Sequence, residues 1–524
     1  MATPPLAVAP VTRWLAALTT TNNVVQRHAD WLLLLLAIYV RWAVALGPYS
    51  GYGEPPLYGD YEAQRHWMEV TLHLPPSKWY FYDPSYWQLD YPPVTAYVSW
   101  LCGWIAHHVF NPAWVALDAQ SRGIETRESK MFMRATVLVC ELLFYIPAVA
   151  LFVNFGRKPD QQPLTSSRPS WLHTRILWLL TLLQPALIVI DHGHFQYNAV
   201  MLGLVVWAIV CFQRSRFLLG SICFTCAIMF KIMALYFAPA IFAYLLGKCR
   251  QSTRHGIALF VKLGLTVVAT FAACLFPFLH STTQLMQILH RVFPVARGLY
   301  EDKVANFWCA SSVLIKWRFL FSQPTLVKLS MLLTLLAFLP TCVNLYHNPT
   351  IRRLLYALAV TSLAFYLFSF QVHEKSILLP ALPITLLMSI EPTLAFYFVN
   401  VAMFSMFPLL QRDGVTLAYI VCTLFWNWLA GFPFTMAQTR LARCITRGTL
   451  VAMGAVHLAD LFVPTPEQYP HLYIVANVIL SCGAFGLCWL YLNYKMMCSP
   501  SAELGSESVD SGTLAGADLR EKMD

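Results

Sequence analysis

Residues 59–93 read GDYEAQRHWMEVTLHLPPSKWYFYDPSYWQLDYPP, which sets Asp60, Glu62, Glu69, Asp83 and Asp90 among Arg65, His66, Lys78 and a dense run of tryptophan and tyrosine. Carboxylates in such company accept protons from hydroxyl groups, and aromatic faces cover the apolar sides of sugar rings. The stretch follows the first long apolar run, so its chemistry is that of a sugar site held at a membrane surface. Asp60, Asp90 and Glu62 are candidates for such a base. A competing role for Asp60 is to cap a helix starting at Tyr61. Arg65, His66 and Glu69 stand at spacings of three and four and can satisfy one another on one helix face. Other polar clusters lie far along the chain: DHGHFQYN at 191–198, Lys231, a segment with Arg291, Arg297 and Lys303, and His373-Glu374-Lys375.

Positioning these groups falls to membrane helices. The chain has 524 residues, 58% apolar and only 12% charged, against about 25% charged in soluble domains. Apolar runs spread from Trp31 to Tyr494 and leave no room for a separate soluble domain. The expected class is all-α and polytopic. It has about fourteen transmembrane helices, at 31–47, 131–155, 176–190, 199–212, 217–230, 233–246, 257–278, 327–345, 354–370, 377–390, 394–410, 415–434, 450–463 and 472–494. Residues 1–30 form a cytosolic segment, 31–495 one transmembrane domain, and 496–524 a disordered cytosolic tail rich in Ser, Gly, Glu and Asp. Arg41 within the first span must face protein or snorkel.

The formal charge of +10 is dispersed over short loops. That distribution orients a membrane protein and argues against nucleic-acid binding. Basic loops at 157–175, 248–262 and 440–447 mark the cytosolic side. With both termini there too, residues 94–110 should be re-entrant or interfacial, and 48–130 becomes one large loop on the opposite face. A second large loop follows at 280–325. By the same alternation Asp60, DHGHFQYN, the Arg291–Lys303 segment and His373-Glu374-Lys375 share that opposite face, which suggests a cleft. Most of the fourteen cysteines lie inside apolar runs as small hydrophobes. The Cys223-x-x-Cys226 pair has no partner pair, and the His192-x-His194 pair no third ligand, so no metal is expected. No internal repeat of the kind many transporters carry is visible.

Taken in order, GDYEAQRHWMEVTLHLP, WYFYDPSYWQLDYPP, SRG, FMRATVL, DHGHFQYN, FKIMALYFAP, FPVARGLYEDKVANFWC and FQVHEKSILLPALP resemble the dolichyl-phosphate-glucose-dependent alpha-1,3-glucosyltransferases of the endoplasmic reticulum. The resemblance covers residues 58–490. HWMEVTLHLP and FSFQVHEKS are similar to the type that adds the first glucose to the nine-mannose lipid-linked oligosaccharide. It implies a GT-C-like membrane enzyme with a large lumenal first loop and a lumenal active site, acting on dolichol-linked lipids. A beta-linked donor and an alpha-linked product imply inversion with one base, for which the family's first-loop acid falls on Asp60. The leaving phosphate wants cations, for which His373, Lys375, Arg291, Arg297, Lys303 and Lys231 are available. Trp67, Tyr91, His192, His194 and Gln196 are the sugar-contact candidates, and no cofactor is expected. The alternatives are the sister enzyme adding the second glucose and, in another class, a lipid or sugar transporter. Oligomeric state is not legible in the sequence.

Overall fold

The computed structural model describes residues 9–498 except 22, 84, 156–169, 253, 294–302 and 434–438. Every regular element among them is helical. That outcome follows from the composition, because a lipid-facing backbone must satisfy its own hydrogen bonds and a helix does so within one segment. Among the described residues, eight helices are long and apolar enough to cross a bilayer: Arg27–Ala45, Arg127–Asn154, Leu172–Phe195, Ile232–Gln251, Gly256–Phe278, Gln323–His347, Ile351–Phe368 and Leu472–Cys498. Four shorter apolar helices, Asn198–Gln213, Phe217–Phe230, Pro392–Ser405 and Thr416–Ala430, accompany them.

Two expected spans lie outside both groups. Leu378–Leu386 has only 9 residues, with Pro383 inside it, and Arg440–Phe462 dilutes its apolar run with Arg443, Arg447 and Asp460. The first span begins earlier than expected, within the helix Asn23–Ala45, where Asp30 pairs with Arg175 at 2.6 Å. The final helix, Leu472–Cys498, runs past residue 495; the rest of the expected tail lies outside the described residues.

Ile351–Phe368 is almost wholly buried at the centre, whereas Gly256–Leu275 turns nearly all of its surface outward. Arg41 neither snorkels nor stays unpaired. It is fully buried, and its guanidinium donates to both oxygens of Glu141 at 2.8 and 2.7 Å and to the Leu182 carbonyl at 2.9 Å.

The segment after the first span folds into the helices Gly59–His73 and Pro93–Ile105. The second is 13 residues long, about 20 Å at 1.5 Å per residue, and thus short of a bilayer crossing. Gly103 lets the two helices approach closely: a Cβ there would sit 2.8 Å from the Met68 carbonyl oxygen. Arg65 closes the buried face of the first helix by pairing with Glu62 and Glu69, and His66 meets Glu69 at 2.7 Å. The entry to this helix is tight. Tyr58 and Gly59 have φ of 57° and 66°, and a Cβ on Gly59 would lie 2.6 Å from backbone atoms of Ser50. Gly59→Ala should therefore cost at least ~1–2 kcal/mol from the left-handed backbone alone. It should also displace Ser50, whose N–H donates to the His194 carbonyl at 3.1 Å. A thermal melt of the purified variant tests this; an unchanged midpoint would show that the turn relaxes freely.

Candidate active site

Asp60 occupies the first turn of Gly59–His73, but it does not cap that helix. Tyr58 is the N-cap residue and makes no side-chain cap bond. The Asp60 carboxylate instead collects donors from remote parts of the chain. His194 Nε2 lies 2.9 Å from Oδ2, Gln196 Nε2 donates to the same oxygen at 2.7 Å, and Lys375 Nζ forms an ion pair with it. All three meet Oδ2. Oδ1 has no donor among the described residues, and the side chain is 27% exposed. Burial pushes the Asp60 carboxyl up, but the Lys375 ammonium and the bond from His194 outweigh it and hold the group well below the usual carboxylate range.

The DHGHFQYN stretch reaches this point through a broken helix. Pro185–Ile188 widens into the π turn Val189–Phe195, which ends on Phe195 at φ 85°. Such turns re-aim side chains that a straight helix would bury in one stripe. Here His194 swings toward Asp60 while Gln196 follows in extended backbone. Lys231 sits between Phe217–Phe230 and the next helical turn, where its ammonium donates to Gln196 Oε1 at 3.2 Å and Asn198 Oδ1 at 2.8 Å. It also stands 4.8 Å from the centre of the Tyr91 ring. Burial and the nearby Lys375 push Lys231 down to about 8, against the pull of Asp191, Asp60 and Asp90. Tyr91 completes the wall, 4.9 Å from Trp67 ring to ring, with its hydroxyl 3.4 Å from Gln196 Oε1.

A carboxylate with one oxygen held and one open, flanked by ammonium groups and aromatic faces, can take a proton from a sugar alcohol beside a departing anion. The model of the ALG6, ALG8 glycosyltransferase family matches residues 37–491. This chain belongs to that glycosyltransferase family. Similar proteins include the probable dolichyl pyrophosphate Man9GlcNAc2 alpha-1,3-glucosyltransferase of Schizosaccharomyces pombe, 45% identical over 88% of this chain and 90% of the relative. Those named dolichyl pyrophosphate Man9GlcNAc2 alpha-1,3-glucosyltransferase in Saccharomyces cerevisiae and Gallus gallus are 41% and 42% identical. They cover 91% and 88% of this chain and 92% and 95% of their own lengths.

Within this family member the candidate residues separate. Asp60, His194, Gln196, Lys375, Lys231 and Tyr91 converge, and Trp67 packs behind Tyr91. His373 is half-buried two residues from Lys375, at the N-cap of the turn Glu374–Ile377. Asp90 lies near enough to act on both Lys231 and Arg291, and Arg291 Nε donates to the Tyr80 carbonyl at 3.2 Å. Glu62 is not brought to the cluster. Two positions on from Asp60 it points elsewhere, and Arg65 and the Tyr86 hydroxyl engage it. His192 also departs from expectation as a sugar contact: it is 1% exposed and bonds Glu141 at 2.6 Å inside the bundle. Lys303 lies elsewhere, on a cavity of about 370 Å³ with Lys316, Arg318 and His471. Arg297 lies outside the described residues.

Asp413 stands outside the sequence expectations, and Asn198, within DHGHFQYN, has no role of its own there. Asp413 accepts a hydrogen bond from His194 Nδ1, and Asn198 joins Lys231 to Asp191. Asp413 sits in a short QRDG turn that looks like any loop. The one available signal was topological, since alternating the expected spans puts 411–414 on the same face as Asp60.

Proposed function

We propose that this chain transfers glucose from dolichyl phosphate glucose, in alpha-1,3 linkage, to the terminal mannose of dolichyl-pyrophosphate-linked Man9GlcNAc2. The reading places the reaction on the lumenal face of the endoplasmic reticulum membrane. The observation that carries it is the Asp60 carboxylate, with Oδ2 held by three donors and Oδ1 without one among the described residues.

In this reading the acceptor hydroxyl gives its proton to Asp60 Oδ1 as its oxygen attacks the anomeric carbon of glucose. The bond from that carbon to the phosphate oxygen breaks with inversion. Dolichyl phosphate leaves with one more negative charge, which Lys375 and His373 meet, with Lys231, Arg291 and Arg297 available to the phosphates of donor or acceptor. Trp67, Tyr91 and Gln196 bound the sugar. Side-chain cations supply the positive charge, and no cofactor enters. The names of the relatives all specify the nine-mannose acceptor, which disfavours the second-glucose reading.

The eight long apolar helices and the four shorter ones support a GT-C-like polytopic arrangement, in which the 48–130 loop is read as lumenal. Incubating purified protein with dolichyl phosphate glucose and the nine-mannose lipid, then weighing the released glycan, should show one added hexose. A singly glucosylated acceptor offered alone should remain unextended. Net movement of lipid across sealed vesicles without a new glycosidic bond would instead favour a transporter.

A further inference from the structure

Asp413 lies outside the eight motifs quoted from the sequence, yet its side chain is 2% exposed and ends on the imidazole that holds Asp60. We propose that Asp413 is a positioning residue for glucose transfer, acting through His194 to keep Asp60 ionised and aimed when Lys375 turns to the donor phosphate. The inference rests on the reading of Asp60 as the base.

Both nitrogens of His194 face carboxylate oxygens, Nδ1 toward Asp413 Oδ2 and Nε2 toward Asp60 Oδ2 at 2.9 Å. A carboxylate offers only acceptors, so Nδ1–H donates to Asp413, which turns Nε2 to the Asp60 oxygen that Lys375 also meets. Lys375 Nζ lies 3.1 Å from Nε2. His194 and Asp413 are buried, whereas Asp60 and Lys375 stay partly exposed.

A donor phosphate draws Lys375 away, since an anion in a partly desolvated site attracts the nearest ammonium. Asp60 then keeps its orientation only if another group stays on Oδ2. The His194 ring serves, provided that Nδ1 is anchored on the far side. No other charged group around His194 among the described residues anchors it. Arg412 Nε lies 3.9 Å from Asp413 Oδ1, Arg134 donates to the Gly193 carbonyl at 2.9 Å, and Lys231 is linked through Gln196; all are cations. Asp191 and Glu141, the nearest acids on the same turn or packed against it, are bonded to Asn198 and to Arg41 and His192. Asp413 is thus the anchor of the ring, and the Leu409 and Gln411 carbonyls fix its turn by accepting from the Asp413 and Gly414 N–H groups.

Four variants of the full chain test the proposal: Asp413→Asn, Asp413→Glu, His194→Gln, and Asp413→Asn combined with His194→Gln. Asp413→Asn should lower kcat about 10²-fold, less than the ~10⁴ seen where such an aspartate backs a histidine that itself takes the substrate proton. KM for both substrates should change less than about twofold, and the pH–rate profile should shift. Asp413→Glu should recover part of the loss. In the His194→Gln background, Asp413→Asn should add little, because the two act as one unit. Multiplying effects in the double variant, or a full kcat with an unmoved pH profile in Asp413→Asn, would overturn the proposal. Should Asp413→Asn lose its thermal transition, Asp413→Glu decides: no change in kcat or pH profile counts against the role. Failure of the base assignment reads out separately, as an active Asp60→Asn.

Discussion

Asp60→Asn is expected to reduce glucose transfer by about 10³-fold, within the ~10²–10⁴ that a positioned general base contributes. The amide keeps the shape of the carboxylate and can still accept from His194 and Gln196, so folding should survive while the proton acceptor is lost. Single-turnover transfer of labelled glucose, beside a thermal melt, separates the two effects. Turnover within a few-fold of the parent would remove Asp60 from the mechanism.

The pH behaviour follows from the direction in which Asp60 is shifted. Its folded value lies below the ordinary 3.8 because Lys375 and His194 outweigh burial. Stability from these contacts is therefore present above the ordinary value and lost only as the pH falls through the lower folded one. The free enzyme should keep its base ionised through mildly acidic conditions. Lys375→Met removes the strongest of the lowering influences, so the acid limb of kcat/KM should move to higher pH. An acid limb unmoved in that variant would show that Lys375 does not set the charge of Asp60.

Much of this arrangement was legible before any coordinates. Acidic residues behind the first span, a His-rich turn and a late His-Glu-Lys were assigned to one membrane face by loop charge alone, and Asp60, His194 and Lys375 do meet. Side-chain direction was not legible. His192 and His194 look equivalent in DHGHFQYN, yet the π turn sends one into the bundle and the other to Asp60. Glu62 and Asp60 differ only in which side of one helix they take. Arg41 announced a need for a partner, but nothing in the spacing named Glu141, 100 residues away. Such pairings are fixed by helix packing, which depends on the shapes of many side chains at once.

That last pair sets the other large expected effect. Glu141 is fully buried, accepts from Arg41 at 2.8 and 2.7 Å, and bonds His192 Nε2 at 2.6 Å. Glu141→Ala leaves a guanidinium deep among helices, hydrogen-bonded among the described residues to the Ala37 and Leu182 carbonyls alone. Removing one partner of a buried ion pair costs ~3–5 kcal/mol, far more than the pair adds over a well-packed apolar replacement. The paired substitution Arg41→Met with Glu141→Leu should accordingly be milder than Glu141→Ala in a detergent melt. If the single variant melts like the parent, water must reach Arg41 and the site is not dry. The loss should also reach the chemistry. His192 and His194 share one π turn, and freeing His192 loosens the backbone that aims His194 at Asp60. The folded fraction of Glu141→Ala should therefore show a lower kcat, and an intact kcat in that fraction would separate the buried pair from the active site.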